Sequence, residues 1–422
     1  MSAPRVHEVI VVGAGAAGLW CAARLAERKK RVLLLEKTQR TGTKILASGG
    51  SRCNLTTTLE ADQAARLFGP RGARFLSSAL ELLPPRAVRE RFHALGVPTV
   101  EAPLEKVFPR SQRAVDVRDA LLRWAIGSGV EIVLGAAVES LEPAGEIWRV
   151  HTREGRVHEA ARVVACSGGK SYPKTGTTGD GYAWLSALDL EVIEPVPALV
   201  PLTSPASWVR ELTGIAWESG ATRLLSPAGK ELLRRERPLL FTHRGVSGPG
   251  AMDPSHFVAR ARAAGALERP FVLELDLFPK VSREELRARF LALAAAPGQP
   301  SISRALPELV PRPLVRAAAR VAGLAVGGEL PRAAKLAKHE RHALIEALKA
   351  LPIPIDGTLG FDQAEVSSGG LALRELDPRS LQVNRCPGLY VCGELLDLTG
   401  PIGGLSFLAA WSTAELVAAA LR

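Results

Sequence analysis

The sequence predicts an α/β protein whose first and last segments build one fold around an inserted region. Three observations predict this. Residues 8 to 37 read as a strand, a glycine turn, a helix and a second strand. Residues 191 to 352 change character, with proline-punctuated β-like runs followed by helical periodicity. Residues 353 to 422 then return to α/β character, with a strand, a glycine loop and a closing helix.

A glycine-rich turn follows the first predicted strand. Val9 to Val12 form an apolar, β-branched run, which suits a strand buried on both faces of a parallel sheet. In a G-x-G-x-x-G turn, the first glycine permits the tight turn and the second lets a pyrophosphate approach the backbone. The third glycine allows the helix to pack closely on the strand. The six residues that match this pattern are Gly13, Ala14, Gly15, Ala16, Ala17 and Gly18.

The segment after this turn completes the pattern of a dinucleotide site. A helix over roughly residues 16 to 28 presents free N–H groups and the positive end of its dipole to phosphates. The second strand, Val32 to Leu35, ends in Glu36, where a ribose hydroxyl needs an acceptor and a 2′-phosphate is disfavoured. An ordinary βαβ unit is the alternative. The strand, the helix and the acid all stand where a dinucleotide site requires them.

Composition narrows the class of protein. A chain of 422 residues can bury a sizeable core and hold two or three domains. No apolar run approaches a membrane span, and the first residues lack the apolar core of a secretory signal. Five scattered cysteines without a C-x-x-C pair indicate reduced thiols in a cytoplasmic protein, and argue against disulfides and zinc. The net charge of +11 permits a polyanionic partner without establishing one.

Two further glycine-rich segments carry candidate ligand-binding groups. Residues 41 to 57 are rich in Gly, Ser and Thr, which predicts a loop rather than a helix. A buried strand at Val163 to Ala165 leads into Ser167, Gly168 and Gly169, where backbone can approach a cofactor closely. A plain surface loop is the alternative for the first segment. Its candidate groups for a phosphate or the polar edge of a ring are Lys44, Ser48, Gly49, Gly50, Arg52, Cys53 and Asn54.

The rest of the first segment alternates helices and strands. Residues 59 to 98 look mainly helical, and residues 115 to 127 read as an amphipathic helix. Val130 to Leu134 and Gly135 to Leu141 are predicted strands, and Lys170 to Tyr182 is a loop of turn residues. This alternation is typical of an α/β fold.

The middle of the chain reads as two inserted regions. Residues 191 to 280 alternate short β-like runs with turns, and residues 281 to 352 are helical in pattern. Between residues 301 and 350, nine Lys or Arg stand against four Asp or Glu. Such a charge run is more often a set of solvated helix faces than a binding surface. The predicted strands include Ala221 to Leu225, Leu239 to Phe241 and Phe271 to Leu275, and the predicted boundaries fall at residues 190, 280 and 352.

Four stretches together give a specific resemblance. They are TKILASGGSRCNLT (43–56), SGGKSYPKTGTTGDGY (167–182), FTHRGVSGPG (241–250) and CGELLDLTGPIGGLSFLAAWSTA (392–414). With GAGAAG and Glu36 they resemble, in the same order, the signatures of the BaiN/RdsA family of FAD-dependent oxidoreductases. The resemblance implies a Rossmann-like, two-dinucleotide-binding-domain flavoprotein fold with an inserted β-barrel domain and a helical subdomain. It also implies noncovalent FAD.

The resemblance carries cofactor contacts onto this chain residue by residue. The glycine turn, Glu36 and Lys37 would hold the ADP half, and Val138 would lie by the adenine. Two departures from the family stand out, Ser51 for the third glycine of SGGGRCN and Ser406 for an asparagine. Both concern the substrate more than the cofactor. The pyrophosphate, ribityl chain and ring would be surrounded by Lys44 to Asn54, Ser167, Gly168, Gly169, Gly393, Glu394, Asp397, Gly403, Gly404 and Leu405.

The family resemblance also suggests a reaction, the reduction of uridine to dihydrouridine in large-subunit ribosomal RNA. Reducing the C5–C6 double bond of uracil needs a hydride, which flavin supplies, and a proton, which the protein supplies. Cys53 is the candidate acid, since a thiol with a pKa of about 8.5 is protonated at neutral pH. Arg52 would lower that pKa or position a carbonyl. A buried packing role for Cys53 is an equal alternative.

His243 and Arg244 are the second pair of catalytic or substrate-binding candidates. They lie in the FTHRGVSGPG stretch of the inserted region. The histidine suits donation to a carbonyl oxygen, and the arginine suits a phosphate or the same carbonyl. A structural role for the histidine is the alternative.

Three classes of function remain open. An RNA-modifying flavin reductase fits the basic helical insert, whose contacts to ribosomal RNA phosphates would be salt-sensitive. A flavin reductase of a small unsaturated metabolite, such as an enone, fits the dinucleotide site equally well. A non-catalytic FAD-binding protein is the third class, and the many loop donors disfavour it. In each enzymatic class NAD(P)H is the expected reductant, bound transiently, because no second nucleotide fingerprint is present.

Overall fold

The computed structural model describes residues 7–266, 269–298, 300–324 and 330–421. The chain packs as two compact units. The first contains the chain up to Pro197 together with the chain from Phe361 onward, and the second is Ala198–Gly360. The finer division at residues 190, 280 and 352 stays a prediction.

A seven-stranded sheet forms the centre of the first unit. The strands His7–Val12, Val32–Glu36 and Glu131–Leu134 lie side by side and parallel, with Val9 opposite Val32. On the other side of the first strand lies Val157–Ala165, also parallel, with Val12 opposite Ala165. That strand also pairs with Leu389–Val391 in parallel and with an antiparallel hairpin, Ile147–Thr152 and Val138–Ala144.

The parallel strands of this sheet are buried because their sequences are continuous apolar runs. Val9, Ile10, Val11 and Val12 expose 3% or less of their surface, and so do Val32 to Leu35. β-Branched side chains pack well on both faces of a sheet that helices cover. The prediction of an α/β fold on a parallel sheet is therefore confirmed.

Helices of the first unit pack against this sheet and against one another. The final helix, Leu405–Ala420, is buried on nearly all sides and packs on the first helix, Ala16–Glu27. Trp20 and Trp411 join the two helices, with ring centroids 5.5 Å apart. The first and last segments of the chain thus share one core. The other α-helices of this unit are Thr43–Ala47, Ala61–Arg66, Gly69–Leu82, Pro85–Ala94, Ala114–Gly127 and Asp180–Ala187.

Smaller elements complete the first unit. Thr56–Thr57, Lys106–Pro109 and Thr99–Ala102 form a three-stranded antiparallel sheet. Val192–Ala198 pairs with Val366–Leu371. Both small sheets lie beside loops that the sequence analysis placed near a cofactor. Four short 3₁₀ turns are Pro173–Thr175, Phe361–Gln363, Leu373–Glu375 and Gly393–Leu395.

The second unit contains two sheets. A five-stranded sheet has the order Ala216–Trp217, Leu239–Thr242, Gly245–Ser247, Leu202–Thr203 and Gly357–Thr358. A four-stranded antiparallel sheet has the order Glu231–Arg235, Ala221–Leu225, Phe271–Asp276 and Leu351–Ile355. Among the described residues these strands pair as two separate sheets, where the family resemblance implied an inserted β-barrel domain.

Helices cover one face of the four-stranded sheet in this unit. Its strands alternate buried and partly exposed residues, as in Phe271–Asp276, so one face joins the apolar core. The helix Arg283–Ala294 begins at a capping box in which Ser282 accepts from the N–H of Glu285 at 3.1 Å. The remaining helices are Ser207–Glu211, Pro249–Met252, Ser255–Ala263, Arg312–Val321 and Lys338–Lys349, with 3₁₀ turns Ile302–Ala305 and Ala333–Lys335.

Most sequence-predicted elements are confirmed, with three corrections. The loop predicted over Lys170 to Tyr182 contains the 3₁₀ turn Pro173–Thr175, and the helix Asp180–Ala187 begins within it. The segment 41–57 is not wholly a loop, because Thr43–Ala47 forms a short α-helix. Its preceding residue, Gly42, is left-handed with φ of 63° and offers no side-chain cap, so the sequence gives no ordinary helix-start signal there. The strand predicted from Gly135 begins instead at Val138. Within the described residues, none of the helices has the length and apolar character needed to cross a membrane.

Candidate dinucleotide site

The three glycines of the first turn differ in what a side chain would meet at each position. Gly13 has φ of +105° and donates its N–H to the carbonyl of Leu35 at 2.8 Å, which closes the turn over the sheet. A Cβ on Gly18 would stand 1.8 Å from the carbonyl oxygen of Gly13. A Cβ on Gly15 would meet no protein atom within 4 Å. Gly13 and Gly18 are therefore required by the fold, whereas the space beside Gly15 is open.

In the part of the chain that the structure describes, no side chain caps the start of the helix after the turn. Gly15 is the N-cap, so no side chain caps the helix Ala16–Glu27, and its first turn contains no acid. Uncapped N–H groups and the positive end of the helix dipole favour an anion. The start of this helix therefore has the geometry that the predicted phosphate site requires.

Glu36 lies at the carboxyl end of its strand and closes the turn. Its Oε2 accepts the N–H of Ala14 at 2.9 Å, and its Oε1 accepts the N–H and hydroxyl of Thr38, both at 2.8 Å. A carboxylate has further acceptor positions, so these bonds leave room for a ribose hydroxyl. They also show that part of the role of Glu36 is to fix the turn itself.

Lys37, the next residue, is held by the segment before the helix Asp180–Ala187. Its Nζ donates to the hydroxyl of Thr178 at 2.6 Å and forms an ion pair with Asp180. The loop 170–182 is thereby joined to the end of the second strand. Val138, the predicted adenine neighbour, is buried at the start of its strand, where the register shifts before Ser140.

A network around Glu394 joins two of the predicted cofactor segments through Ser171 and Ser367. Its Oε2 accepts from Lys44 Nζ at 2.7 Å, and its Oε1 accepts from the Ser171 hydroxyl and the Ser367 N–H, both at 2.9 Å. Lys44 also donates to the Ser171 hydroxyl at 2.6 Å. The ion pair is partly buried, so solvent screens it less than a surface pair. The predicted residues Lys44 and Glu394 are thus brought together.

Ser171 and Ser367 are members of this network that sequence reasoning missed. The hydroxyl of Ser367 accepts the N–H groups of Lys170 and Ser171 at 2.8 and 3.1 Å. A Cβ on Gly169 would stand 2.5 Å from the same oxygen and 2.6 Å from Glu394 Oε1. Gly169 is therefore a packing glycine. Serines occur throughout loops, and nothing local in the sequence distinguishes these two.

Ser167 presents a buried hydroxyl without a partner. Among the described residues its Oγ is enclosed and forms no hydrogen bond. Buried hydroxyls are rarely left unpaired, because removing one from water without a new bond costs about 1–3 kcal/mol. An unpaired hydroxyl at the carboxyl end of the parallel strand Val157–Ala165 is a candidate ligand contact.

Cys53 is fully buried, with 0% exposure. Burial raises the pKa of its thiol to about 12, and a hydrogen bond with Ser48 opposes this only in part. The expectation that Arg52 lowers this pKa has no support in the contacts. The guanidinium of Arg52 lies 4.5 Å from the centre of the Phe108 ring and donates to the carbonyl of Gly49 at 3.2 Å. The geometry therefore favours a packing role for Cys53.

The glycine loop near the C-terminus meets the segment 41–57. Gly404 begins the final helix with φ of 85°, and a Cβ there would stand 2.1 Å from the carbonyl of Thr56. The Asn54 side chain accepts the N–H of Val107 at 3.0 Å, which fixes the end of the loop. A Cβ added to Gly403 would meet no atom of the described residues within 4 Å. The remaining predicted contacts in this region are Gly393, Asp397 and Leu405, and the N–H of Gly393 donates to Thr413 Oγ1 at 3.1 Å.

His243 and Arg244 form a tight turn in the second unit. They connect the strands Leu239–Thr242 and Gly245–Ser247, and both side chains are exposed. The carbonyl of Arg244 accepts the N–H of Ser204 at 3.0 Å, so the backbone of the turn is anchored while its side chains are presented outward. Their roles toward a cofactor or substrate stay predictions.

Comparison with known proteins identifies the family. The profile of the family described as HI0933-like protein Rossmann domain matches residues 7–420. The chain belongs to the HI0933-like family. Among its relatives are proteins of the BaiN/RdsA type, so the resemblance seen in the sequence is confirmed. The chain is therefore a member of a family of FAD-dependent oxidoreductases, and it is an enzyme.

The relatives match the chain almost end to end. It is 30% identical over 409 residues to the ribosomal RNA dihydrouridine synthase of Escherichia coli, covering 96% of each chain. It is also 30% identical to the enzyme of that name from Haemophilus influenzae, again over 96% of each chain. The 3-dehydro-bile acid delta(4,6)-reductase of Clostridium scindens is 28% identical, covering 97% of this chain and 98% of its own.

Solved structures support the fold. The 3-ketosteroid delta1-dehydrogenase of Sterolibacterium denitrificans is 14% identical, with a TM-score of 0.52 over 98% of this chain and 99% of its own. The 3-ketosteroid-delta4-(5alpha)-dehydrogenase of Rhodococcus jostii is 15% identical, with a TM-score of 0.50 over 99% and 98%. At this identity the likeness establishes a shared architecture.

Proposed function

We propose that this protein uses FAD and NAD(P)H to reduce uridine to dihydrouridine in large-subunit ribosomal RNA. The observation that carries the proposal is the 30% identity, across 96% of both chains, to two ribosomal RNA dihydrouridine synthases. Similarity of that extent includes the inserted unit as well as the dinucleotide fold. A protein that shared only the cofactor fold would not match through the insert.

The residues of the first unit suit FAD. The open space beside Gly15, the uncapped N-terminus of Ala16–Glu27 and the unpaired hydroxyl of Ser167 each offer a contact that the protein itself does not use. Phosphates need N–H donors at close approach, and a flavin ring needs buried polar partners. We assign the dinucleotide phosphates to Gly13–Gly18, the ribose to Glu36, and the flavin end to Ser167, Glu394 and Gly403.

The chain's own groups would then serve positioning and proton transfer. Bound FAD supplies hydride-transfer chemistry that no amino-acid side chain provides. His243 can donate a proton or a hydrogen bond at a uracil carbonyl, and Arg244 can bind the adjacent phosphate in a bidentate manner. Cys53 remains a candidate acid, but its raised pKa makes it a reluctant one.

Basic side chains of the second unit support an RNA substrate. Arg312 and Arg320 are exposed and lie on one face of the helix Arg312–Val321, opposite the buried Leu314 and Ala318. Arg316 lies between them but is only partly exposed, with its Nε enclosed. Arg320 pairs with Glu211 at 2.7 Å, and both side chains are about half exposed. Exposed pairs contribute little, so a phosphate can replace the carboxylate. This face would bind RNA phosphates with strong salt dependence.

Reduction of a small unsaturated metabolite is the second candidate. The 28% identity to the Clostridium scindens bile acid reductase, over 97% of this chain, favours it specifically. The same dinucleotide site would serve either substrate. Turnover of RNA would need the basic face of the helix Arg312–Val321, whereas turnover of a small metabolite would not.

Complementation in Escherichia coli tests the proposal. A strain lacking its own ribosomal RNA dihydrouridine synthase would receive this chain, and its large-subunit RNA would be mapped by mass spectrometry. We expect the two-hydrogen mass increment to return. A matched control is Gly15→Ala, whose added methyl meets no protein atom within 4 Å, so the protein folds while the phosphate space is filled.

Two results would count against an RNA substrate. One is a map that stays without the increment although the protein accumulates as a yellow, folded enzyme. The other is rapid oxidation of NAD(P)H by the purified enzyme with an α,β-unsaturated ketone but not with unmodified ribosomal RNA. The second result would establish the metabolite candidate and leave the cofactor assignment intact.

A further inference from the structure

Tyr172 stands out as an exposed aromatic residue in an unfavourable backbone conformation. It has φ of 54° and ψ of 57°, the left-handed region that non-glycine residues rarely adopt. Its side chain is 40% exposed, and no partner for its hydroxyl is found among the described residues. A glycine or asparagine would suit this backbone better, so neither backbone preference nor packing explains a tyrosine here.

The backbone on both sides holds Tyr172 firmly in this position. Its N–H donates to the carbonyl of Phe361 at 2.9 Å, and its carbonyl accepts the N–H and hydroxyl of Thr175 at 3.0 and 2.8 Å. The preceding residue, Ser171, is fully buried in the Glu394 network. All backbone groups of Tyr172 are therefore paired while its ring is presented to solvent.

Two neighbours extend the surface beside this ring. Phe361 is partly exposed, and the ammonium of Lys170 lies 5.3 Å from the centre of its ring. Lys174 is exposed on the other side of Tyr172, and Asp362 is the exposed acid next to Phe361. Two lysines against one acid leave a small local excess of positive charge. The distinguishing feature is two aromatic residues that a backbone hydrogen bond joins, with a cation over the second ring.

We propose that Tyr172, with Phe361 and Lys170, is a stacking site for an unpaired base of the RNA substrate. The inference rests on the proposed function and adds to it the residues that hold the substrate strand. Single-stranded RNA is bound by stacking of bases on exposed aromatic rings, with cations that contact the backbone. A nucleobase offers a planar π-face to the ring and a phosphate to the cation, whereas an enone-type metabolite offers no phosphate, so this surface favours a nucleobase.

The chain offers a clean test because glycine suits the backbone at residue 172. Tyr172→Gly removes the ring and relieves the left-handed conformation, so the melting temperature should stay at or above that of the wild type. Tyr172→Phe keeps the ring. The control for strain relief alone is Gln112→Gly, since Gln112 is exposed, has φ of 56° and forms one side-chain bond, to the carbonyl of Pro109 at 3.1 Å.

Binding would be measured with FAD-loaded enzyme by fluorescence anisotropy of a labelled, uridine-rich single-stranded RNA. We expect Tyr172→Gly to weaken binding about tenfold, and Tyr172→Phe and Gln112→Gly to change it by less than about twofold. Lys170→Met should lower the slope of log K against log salt by about one. Formation of dihydrouridine by each variant would be measured in parallel on ribosomal RNA.

The outcomes separate this inference from the proposed function. If the wild type reduces ribosomal RNA and Tyr172→Gly binds and reduces it equally well, the stacking site is wrong and the function stands. If the wild type neither binds nor reduces RNA, both are wrong. A loss seen equally in Gln112→Gly would assign the effect to the backbone change and overturn the role of the ring.

Discussion

The two compact units differ in how firmly the backbone fixes their candidate functional residues. In the first unit, the glycine turn, the helix start and Glu36 are fixed by backbone contacts that leave space beside Gly15. In the second unit, the candidate residues His243 and Arg244 lie on a turn whose backbone is anchored and whose side chains are exposed. Under the proposed function, cofactor binding would thus be built into the fold of the first unit, whereas substrate binding would depend on exposed side chains. Variants of the two units should therefore fail in different ways.

The largest effect is expected at Gly18. In Gly18→Ala the new methyl would stand 1.8 Å from the carbonyl oxygen of Gly13, so the helix must move away from the strand. Overpacking costs about 1–3 kcal/mol or more. Because the contact here is with backbone, which cannot move aside as a flexible side chain can, we expect the upper end of this range and loss of the folded protein. Chemical denaturation followed by circular dichroism measures this. In contrast, Gly15→Ala should unfold like the unloaded wild type and purify without FAD. Equal stability of the two variants would contradict the distinction.

A change at His243 should act on turnover alone. His243→Gln removes a proton donor from an exposed turn, and general acid catalysis typically contributes about 10²-fold or more. We expect kcat for RNA reduction to fall by about that factor, with FAD content and melting temperature unchanged. Stopped-flow and steady-state kinetics on ribosomal RNA measure the effect. Loss of FAD from this variant would show that the two units do not divide their roles as described.

The contact between the first and last helices should make a moderate contribution to stability. Glu415 accepts from Trp20 Nε1 at 2.8 Å and from Arg24 at 2.7–2.9 Å. Glu415→Gln would remove the buried charge that pairs with Arg24. We expect the free energy of unfolding to fall by about 2 kcal/mol. This is less than for a fully isolated pair, because Arg24 keeps its contact with Glu27. Urea denaturation at neutral pH measures this.

The pH dependence of Glu415 adds a second readout. Burial alone would raise the pKa of Glu415, but hydrogen bonds from Arg24 and Trp20 outweigh burial and lower it below its ordinary value of 4.5. A group with a lowered pKa in the folded state stabilises the protein above its unfolded pKa. That contribution is lost as the pH falls from about 4.5 through the folded value. The difference in stability between the wild type and Glu415→Gln should therefore shrink in acid, and a constant difference would contradict this account.

The smallest effect is expected at Cys53. Because its thiol is fully buried and its pKa is raised to about 12, Cys53→Ala should lower kcat by less than about tenfold. The smaller side chain leaves a void, which should cost about 1 kcal/mol of stability. Turnover and thermal unfolding of the loaded enzyme distinguish the two roles. A fall of about 10²-fold in kcat, with FAD retained, would restore Cys53 as the proton donor.

Features that depend on residues close in sequence could be predicted, and features that depend on distant contacts could not. The glycine turn and Glu36 were recognisable because their constraints act between residues close in sequence. The helix Thr43–Ala47 was missed because Gly42 gives no capping signal. Ser171 and Ser367 were missed because their partners lie far away in the chain: 223 residues separate Ser171 from Glu394. The role of Tyr172 depends on a backbone angle that sequence alone does not reveal.

The most direct measurement is the cofactor content of the purified protein. The account predicts a yellow protein that releases about one FAD per chain on denaturation, while Gly15→Ala folds with the same melting temperature as the unloaded wild type and stays colourless. A wild-type protein that is folded, colourless and unable to bind added FAD would contradict the account.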